Sequence, residues 1–336
     1  MVPRKRKRLI HEYNNIISVE NLLEAWRVFK NGKRSKDDVA GFERNLMDNI
    51  FQLHRELSDG RYCHAGYQAF KISDPKPRDI HKALVCDRLV HHAIYETIYW
   101  FFDRKFIYDS YSCRKYKGTH KAMDQFRNYF RKVSKNNTKT CWVLKCDIKK
   151  FFASVNHYIL KKILESHISD EKVFGLLVDI IDSFENKGKP RSGLPLGNLT
   201  SQLLVNIYMN EFDQFVKHKL KQKYYIRYAD DFVFLDISRE NLEKLVPKIS
   251  DYLNDKLKLE IHPNKLFVKT IASGVDFLGW VHFPDHRVLR TATKRRMNKK
   301  LKNIPNDINN PVRQSYLGML SKGNAWKQKT AILAVL

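Results

Sequence analysis

The sequence predicts an α+β fold in which helices cover one face of an antiparallel sheet. Three features carry that expectation. The stretch from Thr140 to Ile148 alternates and ends beside an acid; YYIRYADDFVFL alternates around a central turn; and amphipathic helical runs flank both. Strand with acid, helices, loop and helix, hairpin with acids, helix, strand is the order of an α+β layer.

From the N-terminus, residues 18–59 read as helical, because Leu22, Trp26 and Phe29, then Phe42, Leu46, Ile50, Leu53 and Leu57, recur at three- and four-residue steps until Ser58-Asp59-Gly60 breaks the pattern. A strand-like stretch through Tyr67 and Phe70 leads to Asp74-Pro75-Lys76-Pro77-Arg78, whose prolines enforce an extended, positively charged loop. A helix follows from about Asp87 to Phe102.

Thr140 to Ile148 places Trp142, Leu144 and Cys146 on one face and Val143, Lys145 and Asp147 on the other, the pattern of a half-buried strand with Asp147 at its exit. Gly193-Leu194-Pro195-Leu196-Gly197 reads as a loop, and Thr200 or Ser201 opens a helix carrying Leu203, Leu204, Ile207, Phe212, Phe215 and Val216. After the hairpin, Leu242, Leu245, Val246, Ile249 and Leu253 form an amphipathic helix, and Leu257, Leu259 and Ile261 alternate as a strand ending at His262-Pro263-Asn264-Lys265. Beyond Phe277-Leu278-Gly279-Trp280 the chain turns basic and helical, with Lys294-Arg295-Arg296 and Lys299-Lys300, and reads as a small helical appendage bound to nucleic acid.

Composition points the same way. The 336 residues carry 62 Lys plus Arg against 36 Asp plus Glu, a formal charge of +26, so a polyanion is the expected partner. An anionic membrane surface fits less well, because no apolar stretch approaches a spanning length and the positive charge is dispersed. With 43% apolar residues, including 20 Phe and 16 Tyr, the chain can build one or two cores. Its five cysteines are odd in number and none are paired at a two-residue gap, which is the usage expected of reduced thiols in the cytoplasm. The opening MVPRKRKRLI lacks the apolar run of a secretory signal, and reads either as a basic arm on phosphates or as a solvated terminus.

Tyr228-Ala229-Asp230-Asp231 carries the chemistry. A carboxylate pair on a tight turn between apolar strands suits hard divalent cations, since adjacent like charges repel unless a cation or a strong donor neutralises them. Asp147, 83 positions earlier than Asp230 (230 minus 147), lies at a strand exit that one sheet can bring beside the turn. Such carboxylates bridge a pair of Mg²⁺ ions about 3.5–4 Å apart, the arrangement of nucleotidyl transfer.

Four motifs in this order resemble the motif series of reverse transcriptases: Asp147 with Phe151-Phe152; Gly193 to Gln202 (GLPLGNLTSQ); Tyr228-Ala229-Asp230-Asp231; and Phe277-Leu278-Gly279-Trp280, within a resemblance covering roughly residues 70–285. The resemblance implies a right-hand polymerase fold. Residues 1–65 would be an N-terminal helical region, 66–140 fingers with part of the palm, 141–285 the palm, and 286–336 a basic helical thumb. Many relatives have glutamine where this chain has Leu196 and proline where it has Gln202. LGNLTSQ, KPRDIHKALVCDRLVHHAIY and SYSCRKYKGTHKA are similar to the diversity-generating retroelement class of the group II intron-like bacterial enzymes, and LGNLTSQ occurs in some bacterial defence enzymes too.

The resemblance implies an RNA-directed DNA polymerase making cDNA from a retroelement RNA, with Mg²⁺ (or Mn²⁺ in its place) on Asp147, Asp230, Asp231 and the carbonyl of Ile148. It assigns deoxynucleotide contacts to Lys76 (or Lys71), Arg78, Phe152 as a steric gate, Leu196, Gly197, Gln202 and Lys265, the last near the leaving pyrophosphate. Phe277, Leu278, Gly279 and Trp280 become a primer grip, and Arg88, Arg114, Lys115 and Lys117, with His120, Tyr111 and Tyr116, face template RNA. The plainer readings are a core aromatic for Phe152, a solvated turn for Lys265, an ion pair with Asp87 or Glu96 for Arg88, and a solvated basic loop around Arg114. Leu196 offers no amide at the nascent base pair, so low fidelity directed at template adenines is expected. A small helical accessory protein is the implied partner, in a bacterial, archaeal or phage-encoded cytoplasmic setting without a membrane. A phage-defence enzyme and a catalytically silent RNA-binding maturation protein are the alternatives; the joint presence of Asp147, Asp230, Asp231 and Phe152 argues against the second.

Overall fold

A computed structural model of the chain describes residues 9, 12–73, 77–186, 188–305, 307 and 309–333. Lys76 and the basic N-terminal arm lie outside the described residues. The chain forms two compact units, each discontinuous: Met1–Tyr108, Ile148–Leu220 and Asp251–Glu260 make the first, and Asp109–Asp147, Lys221–Ser250 and Ile261–Leu336 the second.

In the first unit, the region expected to be helical to residue 59 contains helices Tyr13–Ile17, Val19–Phe29, Asp37–Arg44 and Leu46–Ser58. Ser18 caps the second by accepting from the Asn21 amide, and Leu22, Trp26 and Phe29 are buried with Ile50, Leu53 and Leu57, as their spacing requires. Helix Val85–Asp103 is buried on most of its circumference, and so is Leu199–Gln214. Strands β1 (Tyr67–Ile72) and β2 (Arg78–Ala83) pair antiparallel, Ile72 opposite Arg78.

In the second unit, four antiparallel strands lie in the order β4-β5-β3-β6, where β3 is Trp142–Asp147, β4 Tyr225–Tyr228, β5 Asp231–Asp236 and β6 Phe267–Thr270. Helix Thr119–Val133 covers one face: its Ala122, Phe126, Phe130 and Val133 share a core with Val143, Ile226, Val233 and Leu235. A second sheet, β7 (Val275–Phe277), β8 (Trp280–His282) and β9 (Arg287–Leu289), is followed by helices Thr291–Lys302, Pro311–Leu320 and Trp326–Leu333. Trp280, Leu289, Met297, Leu320, Ala325 and Ile332 form their joint core.

Three expectations are corrected. Strand β3 is buried on both faces, since Val143 and Lys145 on one side and Leu144 and Cys146 on the other are all under cover, so the solvent side that alternation implied does not exist. The helix expected over 242–253 is two, Arg239–Glu243 and Leu245–Leu257, because Pro247 has no amide to continue the first and is accepted in the opening turn of the second. Leu257, Leu259 and Ile261 do not form a strand: Leu257 ends the helix, Lys258 is left-handed at φ 51°, and the Leu259 amide bonds back to the Leu253 carbonyl at 2.9 Å. The strand lies later, at β6, after a single 3₁₀ turn at Pro263–Lys265.

Candidate active site

The three acids converge within the second unit. Asp147, the last residue of β3, is the register partner of Asp231, the first of β5. Directly opposed residues in antiparallel strands have Cα atoms about 4.5–5.5 Å apart. Tyr228 also pairs with Asp231, so Ala229 and Asp230 are the two central residues of a hairpin turn. Ala229 has φ 56°, a left-handed backbone at the first central position, as in the turns that match the twist of paired strands. The strained backbone there is kept by the strand pairings on either side of the turn.

Two lysines neutralise this cluster. Lys265 Nζ lies 2.6 Å from Asp147 Oδ1, and Lys145 Nζ lies 3.1 Å from Asp231 Oδ2. Burial pushes the Asp231 carboxyl up to about 7; Lys145 pulls it down, while Asp147 and Asp230 raise it further. Its Oδ1 is buried and accepts no hydrogen bond. Among the described residues no group of three or more His, Cys, Asp or Glu is already arranged as a metal cage. The donor set still fits hard cations: two carboxylates are opposed in register, and one of them has an orphaned oxygen and a proton affinity raised by burial and, less, by its acidic neighbours.

Arg227, missed in the sequence, fixes the turn. Fully buried in β4, it donates from Nη1 to the Ala229 carbonyl at 3.2 Å and from Nη2 to Ser110 Oγ at 3.0 Å. Asp109 beside it accepts from Tyr129 at 2.8 Å and Gln125 at 3.2 Å. The signal was present as a charged residue inside an otherwise apolar strand, and Lys145 carries the same signal in β3.

Of the remaining second-unit residues, Arg114, Lys115, Tyr116 and Lys117 lie on a loop, His120 in the first turn of helix Thr119–Val133, and Phe277 and Trp280 at the facing ends of β7 and β8. Leu278 and Gly279, with φ of 53° and 86°, are the two central residues of a tight turn closed by the Phe277–Trp280 pair. Arg114 donates to the Ser110 carbonyl at 2.9 Å, Lys117 lies 5.0 Å from the Tyr111 ring centre, and the Tyr111 amide bonds the Arg227 carbonyl at 3.0 Å. Tyr116 is 80% exposed, a free aromatic face in this basic loop.

Within the first unit, Arg78, Phe152, Leu196 and Gly197 lie on connected backbone. The Leu194 amide bonds the Phe152 carbonyl at 2.8 Å, and the His81 amide of β2 bonds the Leu196 carbonyl at 3.0 Å. Gly197 has φ 107°, and a Cβ there would come within 2.9 Å of Ile80. Asn198, also missed, grips β2 by donating to the His81 carbonyl at 2.7 Å and accepting from the Ala83 amide at 3.3 Å. His157 donates from Nε2 to the Gly193 carbonyl at 2.7 Å. Gln202 lies in the first turns of helix Leu199–Gln214, half-buried. Arg88 pairs with neither Asp87 nor Glu96: its guanidinium meets Asp38, which also holds Lys82 at 2.6 Å, and covers the Phe29 ring. Asp87 instead accepts from Tyr62 at 2.9 Å.

The profile of one family, described as reverse transcriptase (RNA-dependent DNA polymerase), matches residues 74–282, more than half of the chain and all four motifs. The chain belongs to the reverse transcriptase family. This reverse transcriptase is 25% identical over 293 residues to protein YkfC of Escherichia coli (strain K12), covering 76% of this chain and 75% of that one. It is 24% identical over 340 residues to the group II intron-encoded protein LtrA of Lactococcus lactis subsp. cremoris, covering 80% of this chain but about half, 54%, of LtrA. A solved structure of apo telomerase from Candida Tropicalis, truncated from its C-terminal domain, superposes with a TM-score of 0.51 at 13% identity, over 73% of this chain and 60% of that one. That likeness is one of fold, the right-hand polymerase fold expected from the sequence. No helix among the described residues is long and apolar enough to cross a membrane.

Proposed function

We propose that the chain copies the RNA of a retroelement into cDNA, and that Asp147, Asp230 and Asp231 are its catalytic acids. The single observation that carries this reading is the register pairing of Asp147 with Asp231, with Asp230 on the turn beside them. Two Mg²⁺ ions, or Mn²⁺, held by the three carboxylates and the Ile148 carbonyl would supply an activated primer 3′-hydroxyl and a neutralised pyrophosphate. Lys265, 40% exposed and on Asp147, is free to leave that carboxylate and protonate the departing group.

In the first unit, Arg78 at the start of β2 and Lys76 bind the triphosphate, Phe152 excludes a ribose 2′-hydroxyl, and Leu196, Gly197 and Gln202 line the base-pair side. In the second, the Phe277–Trp280 turn carries the primer strand, and Arg114, Lys115 and Lys117 the template, with Tyr116 for stacking. Arg88, committed to Asp38, supports the fingers and not the RNA. On this reading residues 1–65 are an N-terminal helical region, 66–140 the fingers with part of the palm, 141–285 the palm and 286–336 the thumb.

Leu196 and LGNLTSQ support the diversity-generating subclass, with error-prone copying at template adenines and a small helical accessory protein as partner, in the cytoplasm of a prokaryotic or phage-infected cell. The decisive assay is primer extension on an RNA template with Mg²⁺ and deoxynucleotides. Extension by the wild-type chain that is lost in Asp230→Ala supports the reading; no extension, or extension that survives the substitution, refutes it.

A further inference from the structure

We propose that Lys145 is a positioning residue that ties the Asp231 carboxylate to the β7–β8 turn, so that the acids and the turn carrying Phe277 to Trp280 keep one geometry. The inference rests on the functional reading above, and takes a residue that reading does not use.

Lys145 lies in the middle of β3 and is 7% exposed. An ammonium group so enclosed must spend its donors on protein oxygens. It finds one in each of the two sheets. In the four-stranded sheet it meets Asp231 Oδ2 at 3.1 Å, and in the three-stranded sheet it donates to the Asp276 carbonyl at 2.8 Å. Its charge also lies 6.0 Å from the Phe277 ring centre. Asp276 is held from its other end, since its carboxylate pairs with Arg290, the residue that precedes helix Thr291–Lys302. A single side chain therefore spans from the third acid to the strand entering the Phe277–Trp280 turn.

The two oxygens of Asp231 are divided in consequence. Oδ2 is taken by Lys145, whereas Oδ1 is buried with no hydrogen-bond partner. A bond on Oδ2 fixes the carboxylate plane and so the direction in which Oδ1 presents its lone pairs. A lysine serving only to fill the core would not need both oxygens, and methionine would fill the same space without burying a charge.

The test uses the full chain and two readouts other than activity. Mn²⁺ affinity is read from the free-ion paramagnetic resonance signal, and the affinity for a fluorescein-labelled RNA–DNA primer–template is read by anisotropy in EDTA. In Lys145→Met the primer–template dissociation constant is expected to rise about tenfold, the size of one charge-assisted hydrogen bond, and Mn²⁺ to gain none of the affinity that removing a cation beside Asp231 would otherwise give. A folded Lys145→Met chain whose primer–template constant is unchanged, or whose Mn²⁺ affinity rises, overturns the inference, even where wild-type primer extension stands; absence of wild-type extension instead overturns the functional reading. Should Lys145→Met fail to fold, Asp231→Asn decides from the metal-free side. Removing a negative charge should by itself tighten nucleic-acid binding. A weakening of at least about threefold therefore reports the loosened turn, of the order expected for a weakened charged hydrogen bond. Binding that tightens or stays unchanged overturns the inference.

Discussion

Asp147 and Asp231 face each other across β3 and β5, and each is held by its own lysine, Lys265 at 2.6 Å and Lys145 at 3.1 Å. These two ammonium groups neutralise the opposed carboxylates. The arrangement keeps opposed carboxylates folded, and it leaves their residual repulsion measurable.

Burial of the Asp231 carboxyl, with repulsion from Asp147 and Asp230 added to it, sets a pH dependence. The Asp231 carboxyl is pushed up to about 7 in the folded chain, so the native state holds its proton more tightly than the unfolded one does. The contribution of this group to stability is then greatest below about pH 4 and is lost as pH rises towards 7, by an amount on the order of 4 kcal/mol. Asp231→Asn is expected to stabilise the metal-free chain at pH 8 and to change little at pH 4. Urea unfolding in EDTA at the two pH values measures it, and a destabilised variant at pH 8 contradicts the assignment. Mg²⁺ should raise the wild-type midpoint at pH 8 and that of Asp231→Asn by less.

Lys265 separates a structural from a chemical role. Its side chain is 40% exposed, so its ion pair with Asp147 contributes less than about 1 kcal/mol to stability. Loss of a general acid, by contrast, slows turnover roughly 10²–10⁴-fold. Lys265→Met should therefore unfold near the wild-type midpoint while kcat for single-nucleotide addition falls by at least about tenfold. An unchanged kcat would leave Lys265 as a counter-ion only.

These acids were legible in the sequence because a turn between alternating strands leaves few other uses for Tyr228-Ala229-Asp230-Asp231. Lys145 and Arg227 were not, because a charged residue in a strand reads as solvent-facing until the partners Asp231, Asp276, Ser110 and the Ala229 carbonyl are known. Leu257 to Ile261 misled for a related reason: alternation over five residues fits both a strand and the unwinding end of a helix, and the left-handed Lys258 chose the latter. The discontinuous units were also hidden. Ile148–Leu220 belongs with the N-terminal helices, although Asp147, one residue earlier, belongs with the hairpin, and no break in composition marks that division.

Gly323 tests how the C-terminal helices seat the Phe277–Trp280 turn. A Cβ at this position would fall 2.1 Å from the Trp280 ring, and the neighbouring Asn324 amide bonds the Arg287 carbonyl of β9 at 2.8 Å, so the backbone is tied close to the indole. Gly323→Ala must displace Trp280, at a cost of about 1–3 kcal/mol. The expected signature is a lowered unfolding midpoint, an altered tryptophan emission, and weaker primer–template binding. If the midpoint and emission match wild type, the packing described for Trp280 is wrong.

The proposed place of Leu196 on the base-pair side makes fidelity the property to measure. Its carbonyl is bonded to β2 through the His81 amide, and the next residue, Gly197, is confined by φ 107° and by Ile80, so the backbone on either side is fixed. Leu196→Gln therefore changes the side chain alone, adding an amide where the wild type offers only aliphatic carbon. An added donor that recognises a correctly formed pair discriminates by about 1–3 kcal/mol, or roughly five- to 150-fold. Sequencing cDNA made from one defined RNA should show misincorporation opposite adenine falling by at least about fivefold, with errors at the other bases changed less. An identical error spectrum in the two proteins would remove Leu196 from base selection and, with it, the main support for the mutagenic subclass.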